Sequence, residues 1–543
     1  MSFSRRAYAA LIEETTENTP IKPTNFFGFV KFDVVTKWGV KNSSNIFADR
    51  NLMINAIKDA VEAPTGKLGI EVEPKFLGYP LKAVFGSPST GRFFKIYLRM
   101  TTGSITGTPV AGATLSQAST GATATVVTVV DSTHLDLRSI TVGFNASDLV
   151  TGTNPDGTTF TFTPAATLPV PNWTVGETVT GQTSSATATV VAVSAENDYL
   201  LMSSPTGTFT AAGEALVGGT SSSKATLGVN ASSVYGHEFK APQNTLPTYT
   251  LEIGYENEAI RFMGVRFPTL DSITDKDNII NATIGVFARS AFICARVQGA
   301  VAAGSSKTIL LDQTLGLTTS DTIKVFRPRT GQYLDFSGSS VKTSSISSIV
   351  AETSITVATL QTALEAGDLI VLAPQTPSYS VQKEFAWIGG AVGRTGDSIT
   401  AAIGNAASAS AMETADFQIM NETESRHAAN ATTVAGRFPT FNALKGFKAT
   451  GKFKRAYQDM TFIDRLRNST QSGVQVAYTG GQIGSTGVYY TLDLRFPNGV
   501  LSAYHPSVEV DSLLDEDIPL EFFRDTSAGY TAKALLVTDT SSY

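Results

Sequence analysis

Cysteine and histidine are scarce in this sequence. The single cysteine, Cys294, lies in the apolar run VFARSAFICARV, so the chain forms no internal disulfide and a buried thiol is the simplest interpretation. Four histidines lie far apart, with no cysteine or carboxylate at the spacing of a metal site: His134, His237, His427 and His505. We therefore expect structural or solvated histidines and no metal centre.

Charge and long apolar runs are also limited. Only 16% of residues are charged, and 41 basic against 47 acidic side chains give a net charge of -6. Such a chain has no electrostatic reason to hold nucleic acid or an anionic membrane tightly. No run approaches the ~18 apolar residues of a membrane helix, and the N-terminus, MSFSRRAYAALIEETTEN, does not match a signal peptide. We expect a protein of the cytoplasm, or of an assembly formed there, with no membrane partner.

Three segments that could suggest chemistry lack the required spacing. GGAVGRTGDS, from Gly389, has no Lys-Ser/Thr pair for phosphates and predicts a flexible loop, while GQIGSTG, from Gly481, misses the dinucleotide spacing and predicts a hairpin turn. DSLLDEDIPLEFF matches no EF-hand and predicts a turn leading into a strand, although it carries four carboxylates: Asp511, Asp515, Glu516 and Asp517. We therefore assign no catalytic residue, cofactor or metal ligand, and expect that the chain is not an enzyme.

Glycine and apolar residues are abundant instead. The chain has 46 glycines, 42% hydrophobic residues and 31 phenylalanines, a composition that favours strands and turns around a substantial core. At 543 residues, two to four domains are expected. We predict an all-β fold with few short helices, since helical patterning is confined to LMINAIKDAVE from Leu52 and DMTFIDRLRN from Asp459.

One segment of the chain repeats itself. Its signature residues Gly176-Glu177, Gly181 and Thr183-Ser184-Ser185 recur, shifted by 37 residues, at Gly213-Glu214, Gly218 and Thr220-Ser221-Ser222. A third, diverged copy precedes them, because the earlier GATATVV matches SATATVV. We expect short strands joined by tight turns, and repeats of this length form stacked units more readily than a catalytic pocket.

The repeats form the first of two predicted inserts in a host domain. This inserted β-repeat domain spans 101–234, and a second insert, 298–377, contains five short strand patterns that predict a small sandwich or barrel. Residues 1–100, 235–297 and 378–543 would then be three parts of one host sandwich or barrel, because each is too short alone for a convincing core. Consecutive domains are the alternative, but exposed turns with close ends readily accept inserts.

Three stretches of the host parts carry a family resemblance. They are APTGKLGIEVEPKFLGYPLKAVFG from Ala63, with a Gly-Tyr-Pro-Leu turn between two strands; YGHEFKAPQNTLPTYTLEIGYENEAIRFMGVRFPTLDSI from Tyr235, with a Leu-Pro step before a strand; and YYTLDLRFPNGVLSAYHPSVEVDSLLDEDIPLEFFRDTSAGYTAKALLVTD from Tyr489, with an acidic turn and a closing strand. Together they resemble the major tail tube protein of long-tailed, siphovirus-like bacteriophages. The likeness covers a little over half of the chain, and both inserts are longer than the usual tube subunit carries.

The resemblance implies a structural virion protein. Six copies would close their strands into one barrel-like ring, and rings would stack head to tail into the tube that carries genomic DNA to the host, through an acidic or neutral lumen. The implied partners are other copies of the chain, the tape measure protein and transiently duplex DNA in the lumen, and tail terminator and baseplate or distal tail proteins at the ends. The protein would belong to the virion tail, assembled in the host cytoplasm, with both inserts outside a non-contractile tube.

Two segments are candidate connectors between rings. The loop 40–66 is long enough to reach a neighbouring ring, and its apolar side chains are the candidate inter-ring contacts: Phe47, Leu52, Met53, Ile54 and Ile57. An ordinary helix packed on its own core is the alternative for this loop. The N-terminal arm, 1–27, contains Pro20 and Pro23, which favour an extended chain, and is either a connector or a frayed end.

Other functions stay open from the sequence. A baseplate or tail-fibre attachment protein is the nearest alternative, followed by a surface adhesin whose repeats bind a glycan. An adhesin would need exposed aromatic residues in its repeats, whereas those present lie where core anchors are expected: Phe144, Trp173, Tyr199 and Phe209. An enzyme acting on cell-wall sugar would need two carboxylates brought together in a cleft, which spacing does not exclude.

Overall fold

The computed structural model describes residues 7–35, 38–42, 56–61, 63–194, 198–210, 213–275, 281–336, 342–378, 412–426, 441–456, 466–468, 472–486, 488–503, 505–507, 515–526 and 528–543. Within these residues the chain is almost entirely β-structure, with the short helix α1 (Gly78–Phe85). Nearly all of the strand pairs are antiparallel and belong to large sheets. The predicted all-β class is therefore confirmed.

The strands are numbered in chain order. The first twelve are β1 (Tyr8–Glu13), β2 (Asn25–Phe27), β3 (Lys31–Val35), β4 (Trp38–Asn42), β5 (Ala56–Val61), β6 (Thr65–Glu71), β7 (Ser89–Thr101), β8 (Thr114–Gln117), β9 (Ala122–Asp131), β10 (His134–Arg138), β11 (Val150–Thr153) and β12 (Thr159–Phe162). The next twelve are β13 (Thr178–Gly181), β14 (Thr187–Val193), β15 (Tyr199–Met202), β16 (Ala215–Gly218), β17 (Lys224–Ala241), β18 (Tyr249–Gly254), β19 (Ala259–Val265), β20 (Thr269–Asp275), β21 (Asn281–Phe287), β22 (Ser290–Phe292), β23 (Ala295–Arg296) and β24 (Gly304–Leu310). The last twelve are β25 (Thr322–Arg327), β26 (Gln332–Tyr333), β27 (Ser344–Val350), β28 (Ser354–Leu360), β29 (Leu369–Leu372), β30 (Met412–Arg426), β31 (Phe441–Ala456), β32 (Ser472–Gln482), β33 (Tyr489–Leu501), β34 (His505–Ser507), β35 (Asp515–Phe522) and β36 (Ala532–Thr538).

The main body surrounds the largest hydrophobic core. Its main sheet runs in the order β3–β6–β21–β20–β30–β31–β35, and β33 continues from β35 into a second layer, β32–β33–β36–β17–β7. Alternate residues of both layers face the core, including Phe417 and Ile419 of β30, Phe453 of β31 and Leu494 of β33. Helix α1 packs against β17, β20, β30 and β36 and adds the fully buried Phe85.

The N-terminal strand belongs to a second, 12-stranded sheet. The principal order of this sheet is β2–β1–β18–β19–β29–β25–β27–β28–β24. It contains the five strands expected between 298 and 377, which enclose a small core of their own. The sheet also continues from those strands into β19 through the pair Ala259↔Leu372. The boundaries of this insert stay a prediction, because no break in the sheet marks them.

The described part of the N-terminal arm is neither frayed nor extended away from the chain. Strand β1 pairs with β18 along its whole length, from Tyr8↔Gly254 to Glu13↔Tyr249, and Leu11 is fully buried. The apolar run YAALI explains this pairing, because burial of its side chains against β18 removes apolar surface from water and stabilises the folded chain. Residues 1–6, at the start of the arm, lie outside the described residues.

The repeats form two small barrels that share β7. Strands β7, β15, β14, β13, β16 and β17 pair in a closed ring, and β10, β9, β8, β11 and β12 curve around the other half of β7. The bridge Thr102↔Pro164 draws the second ring together beyond the end of β7. We call these the repeat barrels; both enclose one continuous core. Since β17 runs on to Ala241, the predicted boundary at 234 falls inside a strand and stays a prediction.

The repeat signature reflects a reciprocal contact between two copies. Strands β13 and β16 pair so that Thr180 lies opposite its own repeat equivalent, Val217. Around this local two-fold, Glu214 accepts hydrogen bonds from the backbone N–H groups of the turn at 183–184, at 3.0 and 2.6 Å. Glu177 accepts the corresponding bonds from the turn at 220–221, at 3.1 and 2.9 Å. Each copy therefore closes the turn of the other.

The two signature glycines make room for these carboxylates. A Cβ atom at Gly181 would lie 2.4 Å from Oε1 of Glu214, and one at Gly218 would lie 2.7 Å from Oε2 of Glu177. A fourth copy, which sequence comparison missed, completes the set. Strand β11 pairs with β8 in the register in which β16 pairs with β13, so that Gly152 corresponds to Gly218. Asp148, four residues before Gly152, therefore stands at the position of Glu214. Only that acid and one glycine of the signature remain in this copy.

Two local expectations about helices are wrong. The predicted helix from Leu52 is a strand over Ala56–Val61, because this segment pairs with β4 and the backbone hydrogen bonds of the ladder outweigh its helical spacing. The predicted Gly-Tyr-Pro-Leu turn is instead the start of α1. Its proline lies in the first turn, where a missing N–H costs no helical hydrogen bond. Most of DMTFIDRLRN lies outside the described residues.

Candidate functional site

The outer side of the main sheet is polar and charged along its whole width. On β30, Phe417 and Ile419 point into the core, so Asp416, Gln418 and Met420 point outward. The strands β3, β6, β20, β21, β31 and β35 alternate in the same way. We call this outer side the charged sheet face. A sheet that buries one side and exposes the other at full width offers a large, flat contact surface.

The charges on this face are nearly balanced. Among the described side chains, seven basic and seven acidic residues lie on this side: Lys31, Lys67, Arg426, Lys445, Lys448, Lys452 and Lys454, and Asp33, Asp271, Asp416, Glu422, Glu424, Asp517 and Glu521. Lysines and acids on neighbouring strands form ion pairs, Lys452 with Asp517 at 2.9 Å and Lys448 with Glu521 at 3.7 Å. Exposed pairs of this kind contribute at most about 1 kcal/mol each to stability. Their main effect is to remove any strong field of one sign.

Two carboxylates on the face are only partly compensated. Asp271 of β20 and Asp416 of β30 lie diagonally across adjacent strands, and each has a buried Oδ1 atom without a hydrogen-bond partner. Burial raises the pKa of Asp271, although Gln418 and Lys67 oppose it. Burial likewise raises the pKa of Asp416 against the attraction of Lys452. Carboxylates that cost folding stability are more typical of a functional surface than of a passive one.

Both ends of the main sheet have free strand edges in the described part of the chain. Strand β3 pairs only with β6, and two apolar residues at its ends, Val30 and Val35, are exposed by 63% and 47%. At the other end, β31 pairs with β35 from Ala449 onward, so its stretch 441–448 pairs on one side only, with β30. Unpaired edges are ready to accept a strand from another chain.

The loop that was predicted to contact a neighbouring ring contains a two-stranded ribbon. Strands β3 and β6 end in the pair Val35↔Thr65, and β4 and β5 continue from this point as a sheet of their own, beginning with Trp38↔Val61. Of the five candidate contact residues, Ile57 lies in β5 opposite Lys41. The other four lie outside the described residues: Phe47, Leu52, Met53 and Ile54. The ribbon leaves the sheet at its free β3 edge.

The strands that build most of the charged sheet face were not identified from the sequence. Strands β30 and β31, with 15 and 16 residues, form the central hairpin of the face. A signal was present, because lysines alternate with phenylalanine, alanine and glycine in KGFKATGKFKR. This period of two is typical of a strand with one side in water. The glycines in this stretch interrupt the apolar alternation, so the pattern was not recognised as a strand.

The segments and histidines with possible chemical roles have structural roles within the described residues. The segment from Gly481 is a hairpin turn, since Gln482 of β32 pairs with Tyr489 of β33. The strand predicted after the acidic run is β35, which begins at Asp515 within that run, whereas the predicted turn at 511–514 lies outside the described residues. His237 is fully buried, and His134 is bonded to Asp131 at 2.9 Å. Among the described residues, no three His, Cys, Asp or Glu side chains gather as a metal site would require. The loop from Gly389, His427 and the side chain of His505 lie outside the described residues.

The repeats present no aromatic platform at their four expected anchor positions. The described aromatic side chains there are between 0% and 6% exposed and belong to the barrel cores or their border: Phe144, Trp173, Tyr199 and Phe209. This agrees with the interpretation of these residues as core anchors. A glycan site built on them is therefore disfavoured.

Helices long and apolar enough to cross a membrane are absent from the described part of the chain. Comparison of the sequence with models of known protein families, and with curated proteins, found no match.

Proposed function

We propose that the chain is the structural subunit of a bacteriophage tail tube. Copies would join side by side into hexameric rings, and the rings would stack head to tail around a channel for genomic DNA. The observation that carries this proposal is the charged sheet face, which is bounded by two free strand edges and faces away from the core. A baseplate or tail-fibre attachment protein is the alternative within the same class.

Ring formation follows from the free edges. If β3 of one copy pairs with the 441–448 stretch of β31 in the next, the main sheets of six copies join into one closed barrel. Closure removes every exposed edge and leaves no site for uncontrolled strand addition. A head-to-tail contact of this kind gives cyclic symmetry when the rotation closes.

The balanced charge of the face suits a channel wall. A wall with a strong excess of lysine would hold phosphates and release counterions, which slows DNA. Seven basic against seven acidic side chains leave no such excess among the described side chains. The partly buried Asp271 and Asp416 add negative character at the centre of the face, where a sliding duplex would come closest.

The remaining parts have places in the same arrangement. The β4–β5 ribbon leaves the sheet where it could bridge two rings, and the repeat barrels pack on the second layer, away from the charged sheet face. On this proposal they decorate the tube exterior. Further partners would be the tape measure protein in the lumen and the terminator and baseplate or distal tail proteins at the ends, in a virion assembled in the host cytoplasm.

Electron microscopy of the purified chain over a range of concentrations tests the proposal. The expected result is rings or tubes with six-fold end views and lateral projections. Val35→Lys places a charge beside the free β3 edge without disturbing the core, so it should prevent assembly or raise the concentration required. Val130→Lys, at an exposed valine of the repeat barrels, is the matched control and should assemble normally. A chain that stays monomeric under all conditions, or variants that all assemble alike, would contradict the proposed edge contact.

A further inference from the structure

A cleft separates the repeat barrels from the second layer of the main body. On β32 and β33, every second residue points away from the main core, and on β36 Leu535 and Val537 line the same side. Leu201 of β15 packs so closely over Gly236 that a Cβ there would lie 2.3 Å from the leucine. The barrels cover only part of this layer and leave a cavity of about 250 Å³ beside the contact. The cavity has room for a single small ring-shaped ligand.

Paired charges and hydroxyl groups line the cleft. In its floor, Asp493 accepts hydrogen bonds from Gln475 at 2.7 Å and from the guanidinium of Arg495 at 2.7 Å. In the barrel wall, Asp198 accepts a hydrogen bond from Ser194 at 2.6 Å. The whole lining holds three cations, Lys95, Arg138 and Arg495, against two acids, Asp198 and Asp493. Because Arg495 is paired with Asp493, the excess is a single cation, fewer than the cluster of cations that typically holds a phosphate. The cleft therefore favours a neutral ligand with many hydroxyl groups.

Aromatic surface lies next to these polar groups. The ring of Tyr489 stands at the mouth of the cleft, where the residue is 48% exposed although it lies in a strand. In the wall, the partly buried ring of Phe93 stacks on the buried ring of Tyr199, with centroids 5.4 Å apart, so the exposed aromatic face among these three is that of Tyr489. A sugar has an apolar C–H face and a rim of hydroxyls, so it can use a flat ring and hydrogen-bonding side chains together.

We propose that this cleft binds a neutral saccharide. The C–H face of the sugar lies against Tyr489, and its hydroxyl groups bond the Asp198 carboxylate and the hydroxyls of Thr479 and Thr491, which also line the cavity. Tyr199, one of the aromatic anchors of the repeats, also lines the wall but is only 3% exposed, so the sugar contact rests on Tyr489. The site does not depend on tube formation. It would give the exterior of the main body an affinity for surface sugars.

Saturation-transfer NMR on the full chain tests this site. The probes are D-glucose, D-galactose, N-acetyl-D-glucosamine and L-rhamnose, with inorganic phosphate as a competitor. We expect transfer to at least one sugar, no displacement by phosphate, and binding weakened by about tenfold in Tyr489→Ala through loss of the aromatic contact. Tyr255→Ala, which removes another exposed tyrosine outside the cleft, should bind as the unaltered chain does.

Several outcomes would overturn the site. They are the absence of transfer from all four sugars, an equal effect of both substitutions, or competition by phosphate. Equal melting temperatures of the two variants exclude misfolding as the cause of lost binding. Microscopy separates the saccharide site from the proposed tail tube. If the Tyr489→Ala chain forms tubes but does not bind sugar, both proposals stand. If the unaltered chain binds sugar but forms no tubes, only the tail-tube proposal is contradicted.

Discussion

His237 shows how a single buried residue fixes the end of the chain. Its ring is fully buried in β17, where Nδ1 accepts from the Thr90 hydroxyl and Nε2 donates to the carbonyl of Thr540, both at 2.9 Å. The ring of Tyr543 meets it edge-on, with centroids 4.8 Å apart. The Thr540 carbonyl can only accept, so it fixes a proton on Nε2, and burial favours the neutral ring, in which Nδ1 accepts from the Thr90 hydroxyl.

Burial of this histidine predicts a loss of stability in mild acid. Burial lowers the pKa of His237 from 6.5 to about 4, although the bond to Thr540 opposes the shift. The unfolded chain therefore takes up a proton before the folded chain does, so stability is full above pH 6.5 and falls as the pH drops toward 4. The loss should approach about 3 kcal/mol. Urea unfolding between pH 7 and 4 measures it; His237→Gln should flatten this part of the profile, whereas His134→Gln, at a partly exposed site, should not.

Glu177 and Glu214 predict a crossed effect between the two repeat copies. Burial raises the pKa of Glu177, but hydrogen bonds from Ser221, Thr174 and Thr220 outweigh it and leave the pKa below its usual value. Glu177→Gln removes charge and one acceptor, which should cost about 1 to 2 kcal/mol. Because the carboxylate closes the turn of the other copy, the amides of Thr220 and Ser221 should lose protection from hydrogen exchange.

The matched variant is Glu214→Gln. It should expose the amides of Thr183 and Ser184 and leave those of the second copy protected. If each substitution instead exposed amides of its own repeat copy and not those of the other copy, the proposed reciprocal contact would be contradicted. By contrast, Asp148→Asn in the diverged fourth copy should have little effect, because this half-buried acid accepts from the Ser119 hydroxyl, a bond that an asparagine oxygen can also accept.

At the scale of elements, helix α1 depends on a glycine at its first position. A Cβ at Gly78 would lie 2.3 Å from ring atoms of Tyr543, whose side chain packs on the start of the helix. Gly78→Ala should therefore destabilise the chain, although alanine is intrinsically favoured in a helix by up to about 1 kcal/mol. In a Tyr543→Ala background the clash is absent, so the same change should be neutral or stabilising. Thermal unfolding of the four chains measures this coupling, and equal effects in both backgrounds would contradict it.

How much of each element could be predicted depended on its environment. The strands between 298 and 377 and the hairpin at Gly481 follow a period of two with clear turn residues, and these predictions are confirmed. Residues 56–61 have helical spacing, and only a partner strand from an earlier part of the chain decides their structure. Strands β30 and β31 were missed because glycine and lysine dilute their alternation. The fourth repeat was missed because it keeps few of the signature residues, and only the pairing of its strand shows that it is a copy.

The whole molecule is held together by contacts that no local pattern contains. Arg261 of β19 is fully buried and bonds the carboxylates of Glu252 and Asp321, each at 2.7 Å. Glu252 also accepts a hydrogen bond from Tyr8 of the N-terminal strand at 2.6 Å. Glu252 therefore links the N-terminal strand to Arg261, and Arg261 links both to the distant Asp321. The charged sheet face could not be predicted for the same reason, since it needs strands from 31 to 522 in one sheet.

The β4–β5 ribbon allows the contact within a ring to be separated from the contact between rings. Because Val35 and Thr65 are paired, residues 36–64 can be replaced by a two-residue Asn-Gly turn that suits a tight hairpin. The ribbon forms a sheet of its own, so the main body should keep its fold and melting temperature. If the ribbon bridges rings and the free edges close them, the shortened chain should form single six-fold rings that do not stack. The shortened chain that also carries Val35→Lys, which disrupts the free β3 edge, should form neither rings nor tubes. Straight tubes from the shortened chain would remove the ribbon from the inter-ring contact while leaving the ring itself in place.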